Sequence, residues 1–380
     1  MKLALVTETF PPEVNGVSMT LGRLCEGLAA EGWEIMVVRP VQEHEEVDMP
    51  SEEKPYEEFI AAGVPLPGYN ALRMGEPAGF SLYRIWKRSR PDVVHVATEG
   101  PLGVAALIAA RLLKIPVSST FHTNFDQYSD HYRIGFIQRL ASSYLRWVHN
   151  RCDVTLAPTR QMADELAKLG YRNTGVLSRG VDTELFRPDR RDESLRREWG
   201  VPEDGKVVLY VGRVAKEKNI DLAFAAFESL REDFPHDRMV VVGGGPELPR
   251  LKRKYPEVRY AGMRKGEDLA RHYASGDLFL FPSVTETFGN VVTEAMASAL
   301  AVCTYDYAAG REYIESGRNG MLARFGDAEH FVAQTLALRC LPEQELASVR
   351  SAASETGKGI SWKRVVESFQ RSLRAVASVR

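Results

Sequence analysis

Apolar residues come along this chain in short dense runs, separated by stretches in which they recur every three or four positions. Lys2 to Val6 opens with such a run and reads as a buried strand, and Pro11-Pro12 to Gly16 reads as a loop. Val17, Leu21, Leu24 and Leu28 mark one face of a helix stopped by Gly32, and Ile35 to Val38 is the next strand. The same order returns at Asp92 to Val96, Leu102 to Leu113, Pro116 to Thr120, Asp153 to Ala157 and Gln161 to Leu169. It restarts at Lys206 to Gly212 and continues through Arg238 to Gly243, Asp277 to Phe281 and Val302 to Tyr305. Repeated alternation predicts an α/β protein with two Rossmann-like, doubly wound parallel-sheet domains. The carboxyl ends of such sheets bind ligands, so the expected site is a deep cleft that the two domains face.

A length of 380 residues agrees with two domains, because single cores stop growing at roughly 250 residues. The first is expected over 1–180 and the second over 190–359, with the boundary in 180–200. There, the charged stretch Asp189 to Glu198 has little to bury. Ile360, Trp362, Val365, Phe369, Leu373 and Val376 form a final helix face outside either alternation, expected to cross back onto the first domain.

Composition narrows the function classes. With 44% hydrophobic and 26% charged residues and a formal charge of -2, the chain is globular and carries no cationic signature of a nucleic-acid partner. Cys25, Cys152, Cys303 and Cys340 form no C-x-x-C or Cys/His cluster, which fits a reducing, cytosolic compartment without structural zinc or disulfides. No apolar stretch approaches the ~20 residues that cross a bilayer, and the N-terminus reads as a core strand rather than a signal peptide.

The most informative segment runs from Phe281 to Ala297 and holds two carboxylates, Glu286 and Glu294. Glu286 falls in the loop leaving a strand, and Glu294 in the helix that Gly289 or Asn290 opens. Amides at that helix start suit a diphosphate, and carboxylates suit vicinal hydroxyls. Gly289 admits a ligand close to the backbone, and Phe288 is expected to wall the site. After the first strand of the second domain, Arg213 and Lys218 emerge at its carboxyl edge, where cations neutralise a departing diphosphate. Isolated residues of these types are usually solvated surface charges; position after a core strand favours function for Arg213 and Lys218 and the bland reading for Lys216. The chain has no Asp-x-Asp motif, so no metal is expected and phosphate charge falls to side chains and amides.

In the first domain, Gly16 joins a strand to a helix and brings backbone amides toward an anion. His122, in Thr120 to Asp126, follows a strand and is expected to contact donor or acceptor, against the alternative of a structural histidine. Val242 to Glu247 lacks the G-x-G-x-x-G spacing and reads as a tight turn on the nucleotide side. Two segments combine basic and aromatic residues: 133–151, with Arg133, Arg139, Arg146, Arg151, Tyr144 and Trp147, and 84–90, with Trp86, Arg84, Lys87, Arg88 and Arg90. Each suits anionic lipid; a core helix with a solvated face explains each equally well.

Three passages in order, Arg179-Gly180-Val181-Asp182 through Phe186-Arg187-Pro188, Val211-Gly212-Arg213 with Lys218, and Glu286-Thr287-Phe288-Gly289 with Glu294, resemble the retaining glycosyltransferases of family four over nearly the whole chain. The resemblance implies the GT-B fold and a metal-independent, same-face transfer of a hexose from GDP-mannose or a UDP-hexose, with no other cofactor. It implies that Arg213 and Lys218 bind the diphosphate, that Glu286 with Phe288, Gly289 and Asn290 grips the donor sugar, and that Glu294 holds the ribose. It further implies that Gly16 approaches the donor phosphate, His122 contacts the transferred sugar and Gly262-Met263-Arg264 lies beside the base. Pro65 to Asn70 and Phe121 to Asp126 resemble the branch of α-mannosyltransferases, glycolipid glucosyltransferases and sulfoquinovosyl-lipid synthases, which implies a lipid or glycolipid acceptor and a place in the cytoplasm or on the inner face of its membrane. The chain departs from the family pattern at Ala299 and Ala301, where Gly and Pro are common, and in Tyr305 to Gly310. A nucleotide-sugar epimerase or hydrolase of the same architecture, and a non-catalytic nucleotide-sugar sensor, are the alternative readings.

Overall fold

A computed structural model describes residues 1–13, 15–42, 54–66, 69–122 and 135–378. The chain divides into two compact units, residues 1–179 with 362–380, and residues 180–361.

The first unit is built on a seven-stranded sheet. Its strands are β1 (Lys2–Val6), β2 (Glu34–Pro40), β3 (Glu57–Ala61), β6 (Val93–Val96), β7 (Val117–Thr120), β8 (Val154–Ala157) and β9 (Thr174–Val176), in the order β3-β2-β1-β6-β7-β8-β9. Every pairing is parallel, and β1 has β2 on one side and β6 on the other. A separate antiparallel pair, β4 (Gly63–Leu66) with β5 (Tyr69–Gly75), was not evident in the apolar pattern. The inner strands β1, β2 and β6 are short, largely apolar and mostly buried, as in a parallel sheet covered on both faces, whereas the edge strands β3 and β9 are partly exposed.

One covering helix, Gly16–Ala30, starts at Asn15, whose side chain accepts from the N–H groups of Val17 and Ser18; such a cap is worth about 1 kcal/mol. Its inner face, Leu21, Leu24, Cys25 and Leu28, shares a core with Val365, Val366, Phe369, Leu373 and Val376 of the last helix, Trp362–Ser378. That helix is strongly amphipathic, with one apolar stripe and one charged face, so burial of the stripe decides where it docks.

The second unit repeats the plan. β10 (Val207–Val211), β11 (Arg238–Val242), β12 (Arg259–Gly262), β13 (Leu278–Phe281), β14 (Ala301–Tyr305) and β15 (Met321–Ala323) lie in the order β12-β11-β10-β13-β14-β15, all parallel. The strand order reverses between β10 and β13, the position where doubly wound sheets open a ligand crevice at their carboxyl ends.

The charged stretch expected to bury little is instead integral to this unit. Leu195 and Arg196 of the helix Glu193–Glu198 are buried, and Arg196 Nη1 lies 2.7 Å from Asp277 Oδ2. Arg191 (3.2 Å) and Arg350 (3.3 Å) approach Oδ1 of the same carboxylate, and Val207 N donates to Oδ2 at 2.8 Å. Burial alone would raise the Asp277 pKa, but Arg350, Arg196 and Arg191 outweigh it and hold the group below the usual carboxylate range. This knot sits just ahead of β13, at the edge of the sheet opposite its carboxyl ends, and ties a connecting segment and a C-terminal helix to the strands. Replacing Asp277 with Ala leaves three guanidiniums facing one another in a buried place. It is expected to lower the unfolding free energy by about 3 kcal/mol or more, read from urea denaturation followed by circular dichroism.

Candidate functional site

At the carboxyl edge of the second sheet, two loops meet. One leaves β10 and runs from Gly212 to Asn219; the other leaves β13 and runs from Pro282 to Gly289. Lys218 Nζ reaches Glu286 Oε1 at 2.6 Å and the Thr285 carbonyl at 3.2 Å, and Ser283 Oγ donates to the same Glu286 oxygen at 2.8 Å. Thr285 Oγ1 in turn donates to the Glu217 carbonyl at 3.0 Å, so the loops are bonded in both directions. Glu286 is therefore held by one oxygen, while Oε2 carries no hydrogen bond among the described residues and is free to accept from a ligand hydroxyl. The pair is only partly shielded, with side chains 20% and 17% exposed.

Arg213 stands apart from this pair. Its side chain is 66% exposed and forms an ion pair with Glu217 at 3.0 Å, while its carbonyl accepts from Tyr210 Oη at 3.1 Å. Beside this loop, Val214 N donates to the Gly244 carbonyl at 2.9 Å and Glu247 N to the Val214 carbonyl at 3.1 Å, which fastens the turn after β11 to the one after β10. Met263, just past β12, is an exposed apolar side chain (73%) packed over Gly244.

The helix Asn290–Ala297 begins at Gly289, whose φ of 93° is in the left-handed region that glycine enters without penalty. No side chain caps this helix, and the buried Asn290 Oδ1 has no hydrogen-bond partner, so the helix start has polar capacity to offer a ligand. Phe288 does not wall the site as expected from sequence. Its ring is fully buried and packs edge-to-face on Tyr313 with centroids 6.1 Å apart. What it contributes is anchorage: its carbonyl accepts from Ala309 N at 2.8 Å, and the Glu286 carbonyl accepts from Tyr307 Oη at 2.8 Å. The Tyr305 to Gly310 stretch, where the chain departs from the family pattern, thus props the Glu286 loop from behind.

Glu294 is partly buried, and Tyr273 Oη donates to its Oε2 at 2.9 Å. Burial pushes its pKa up to about 7, with the Tyr273 hydrogen bond opposing the rise. Tyr273, Ser283 and Tyr307 were not singled out from sequence. Tyr273 lies on the helix Gly266–Ala274, and only packing of that helix against Asn290–Ala297 reveals its role.

In the first unit, His122 lies two residues after β7. Both of its ring nitrogens are buried without hydrogen-bond partners, and burial, aided by the Arg179 charge, lowers its pKa to about 3. It is a neutral imidazole with donor and acceptor uncommitted. Gly16 is the first residue of its helix, and Arg179, itself buried, lies over it: a Cβ on Gly16 would fall 3.0 Å from Arg179 Nη1. Thr123 to Asp126 and Arg133 lie outside the described residues.

Of the two basic-aromatic segments, the helix Gly135–His149 exposes Leu140 (55%), Tyr144 (44%) and Trp147 (41%), with the Arg151 guanidinium 4.1 Å from the Trp147 ring centre. In the other segment Trp86 follows the second of the two readings, a core helix with a solvated face. It is buried in the core with Leu82, Leu102 and Leu107, because the inward stripe of its helix is apolar; Phe80, 74% exposed near Arg84, is the surface aromatic there. Among the described residues, no group of three or more His, Cys, Asp or Glu is placed to hold a metal ion, and no helix is long and apolar enough to cross a membrane.

The Glu294 environment has a measurable consequence. Its carboxyl holds a proton more tightly folded than unfolded, so stability is full in acid and is lost as pH rises from the ordinary carboxylate range through about 7. Glu294→Gln, which cannot ionise, is expected to match the parent near pH 5 and exceed it by about 2 kcal/mol near pH 8 in thermal or urea unfolding. A stability difference that does not change between these pH values contradicts the assignment.

Comparison with known families and proteins agrees with this architecture. A family model described as Glycosyltransferase Family 4 matches residues 14–185, and one described as Glycosyl transferases group 1 matches residues 205–339. A GDP-mannose-dependent alpha-mannosyltransferase of Mycobacterium tuberculosis (strain CDC 1551 / Oshkosh) is 33% identical over 385 residues, covering 99% of this chain and 97% of that protein. An alpha-monoglucosyldiacylglycerol synthase of Acholeplasma laidlawii is 27% identical over 369 residues, covering 90% of this chain and 89% of that one. Among solved structures, sucrose-phosphate synthase from Thermosynechococcus elongatus superposes with a TM-score of 0.76 at 17% identity over 100% of both chains, a likeness of fold. With both halves matched and a relative aligned end to end, the chain belongs to the glycosyltransferases of family four and has their GT-B fold.

Proposed function

We propose that this protein transfers a hexose, mannose or glucose, from a nucleoside diphosphate sugar to a lipid or glycolipid acceptor, with retention at the anomeric carbon and without a metal ion. The observation that carries the reading is the Lys218–Glu286 pair at the strand-order reversal of the second sheet, beside the uncapped helix that Gly289 opens. A cation, a carboxylate with one free oxygen and open helix amides together match a leaving diphosphate bonded to a polyhydroxylated ring.

In this reading Lys218, Arg213 and the amides at Gly289 and Asn290 bind the diphosphate and stabilise the charge that grows on it as the glycosidic bond breaks. Glu286 accepts from hydroxyls of the sugar through its free oxygen, and Glu294 accepts from the ribose. Met263 offers an apolar face to the base of the donor, guanine in a GDP-sugar or uracil in a UDP-sugar. On the first unit, Gly16 serves the phosphate and His122, neutral and uncommitted, the transferred sugar. The acceptor hydroxyl attacks from the face the diphosphate leaves, and the departing phosphate oxygen takes its proton; no protein nucleophile is used. The names of the mannosyltransferase and glucosyldiacylglycerol synthase relatives favour these sugars and a lipid acceptor. Exposed Leu140, Tyr144 and Trp147 among arginines favour contact of the first unit with an anionic membrane surface on the cytoplasmic side.

Lys218→Ala is expected to lower kcat/KM about a hundredfold or more, with the loss mainly in kcat, measured with GDP-mannose and UDP-glucose against a diacylglycerol glycolipid. EDTA is expected to leave the rate unchanged. Abolition of turnover by EDTA, or release of free sugar or an epimer without acceptor, contradicts the reading. Sedimentation with vesicles containing phosphatidylglycerol, lost in a Leu140→Ser/Trp147→Ser double variant, checks the membrane contact.

A further inference from the structure

We propose that the first unit carries a second ligand site, for the neutral ring of a hexose, in a cavity at the amino edge of its sheet. The cavity has a volume of about 430 Å³ and lies where β1, β2 and β3 begin, with Trp33 and Trp86 among its walls. Gly16 and His122 follow the carboxyl ends of strands in the same sheet, and the five residues of β1 set the two edges roughly 13 Å apart. The cavity is thus apart from the transfer site proposed above, and a ligand in it does not depend on that reading.

Small-molecule sites span about 300–1,000 Å³ and combine apolar and aromatic walls with a few polar groups, and this cavity has both properties. Trp33 and Trp86 are the buried part of the lining, while Glu57 and Ser89 belong to its exposed part. The polar groups are uncommitted. Trp86 Nε1 is a buried donor with no hydrogen-bond partner, in a setting where an indole ordinarily finds an acceptor. Among the described residues, the Trp33 indole, the Tyr56 and Ser89 hydroxyls and the Glu57 carboxylate make no side-chain hydrogen bond either. Donors and an acceptor are gathered in one hollow without satisfying one another.

Charge selects the class of ligand. Two ammonium groups and two carboxylates line the cavity, Lys2 and Lys54 with Glu34 and Glu57. Lys2 Nζ lies 2.8 Å from Glu34, and Lys54 Nζ lies 2.7 Å from Glu58. The lining sums to zero, so it sets up no net field for an anion or a cation. An aliphatic chain would leave the indole and hydroxyl groups unpaired, which is costly where water is excluded. A hexose meets both conditions. Its C–H faces suit aromatic walls, and its hydroxyls accept from the indole N–H groups and donate to the Glu57 carboxylate. A free hexoside and the terminal hexose of a glycolipid present this same ring.

The test uses the full-length protein, isotope-labelled at its five tryptophans, so that the indole N–H resonances of Trp33 and Trp86 are read apart from those of Trp147, Trp199 and Trp362. Titration with methyl α-mannoside or methyl α-glucoside is expected to shift the first two saturably in the millimolar range and to leave the other three in place. Shifts with these hexosides assign the site to the ring alone, and shifts only with a glucosyl diacylglycerol in micelles assign it to a lipid-borne hexose; either supports the proposal. The double variant Tyr56→Phe/Glu57→Ala keeps the ring that packs edge-to-face on Phe10 and is expected to weaken binding about tenfold or more, while Lys218→Ala keeps the parental affinity. Should the double variant fail to fold, Glu57→Gln with Ser89→Ala carries the same comparison. No shift at Trp33 and Trp86 up to the solubility of the sugars overturns the inference, and so does binding that is lost in Lys218→Ala and kept in the double variant. Equal affinity for cyclohexanol reduces the cavity to an apolar gap and overturns it as well. Silent tryptophans beside a dead Lys218→Ala enzyme would sink this inference alone; responsive ones beside a fully active Lys218→Ala enzyme would sink only the transferase reading.

Discussion

Everything at the candidate site follows from one constraint: a parallel sheet covered on both faces sends every strand in the same direction. All loops leaving the carboxyl ends then gather at one edge, however far apart they are in sequence. β10 and β13 pair through Val208 with Leu278 and Leu209 with Phe279, and that pairing is what sets Lys218 against Glu286 across sixty-eight positions of sequence. The amino edge is spent on stability, where Asp277 gathers Arg191, Arg196 and Arg350. Charge is thus sorted by edge, closed and buried at one end and left partly open at the other.

The open end is open in a particular way. Its carboxylates are each held by one oxygen, Glu286 by Lys218 and Ser283 and Glu294 by Tyr273. A carboxylate tethered through one oxygen keeps its direction without using all of its accepting capacity, which is what recognition of a hydroxyl requires. The backbone behind Glu286 is braced by Tyr307 and Ala309, so the loop is set before a ligand arrives rather than ordered by it. His122 follows the same logic in the first unit, with packing excluding water from two nitrogens that no neighbour satisfies. Unsatisfied buried polar groups are costly, and the sugar contact proposed for His122 is one that would satisfy these two nitrogens.

Two further departures from the family pattern, at Ala299 and Ala301, also have structural consequences. Ala299 ends the helix Asn290–Ala297 in a left-handed conformation, φ 60°, that glycine enters freely and alanine at a cost of roughly 1 kcal/mol. Ala301 N donates to the Asp277 carbonyl at 2.9 Å, a bond that proline could not form. One substitution strains the end of the helix that carries Glu294; the other adds a ladder bond at the start of β14.

The sequence by itself determined the alternation of strands and helices, and with it the fold class, because runs buried on both faces must be apolar throughout while crossover helices show period 3.6. It also pointed to the loops of the candidate site, since Lys218, Glu286, Gly289 and Glu294 each follow a recognisable strand or lie at a recognisable helix. It did not reveal the edge strands β3, β9, β12 and β15, which are only partly buried and so lack a dense apolar run. Only the tertiary structure decided how individual side chains are used. Phe288 and Trp86 are aromatic in sequence whether they wall a site or fill a core, and neighbours from other layers settled both in favour of the core. Tyr273 and Arg179 gained their places near Glu294 and Gly16 through packing between segments distant in sequence. Local pattern encodes a residue's own element and face; which partner meets it there is set by how the layers stack.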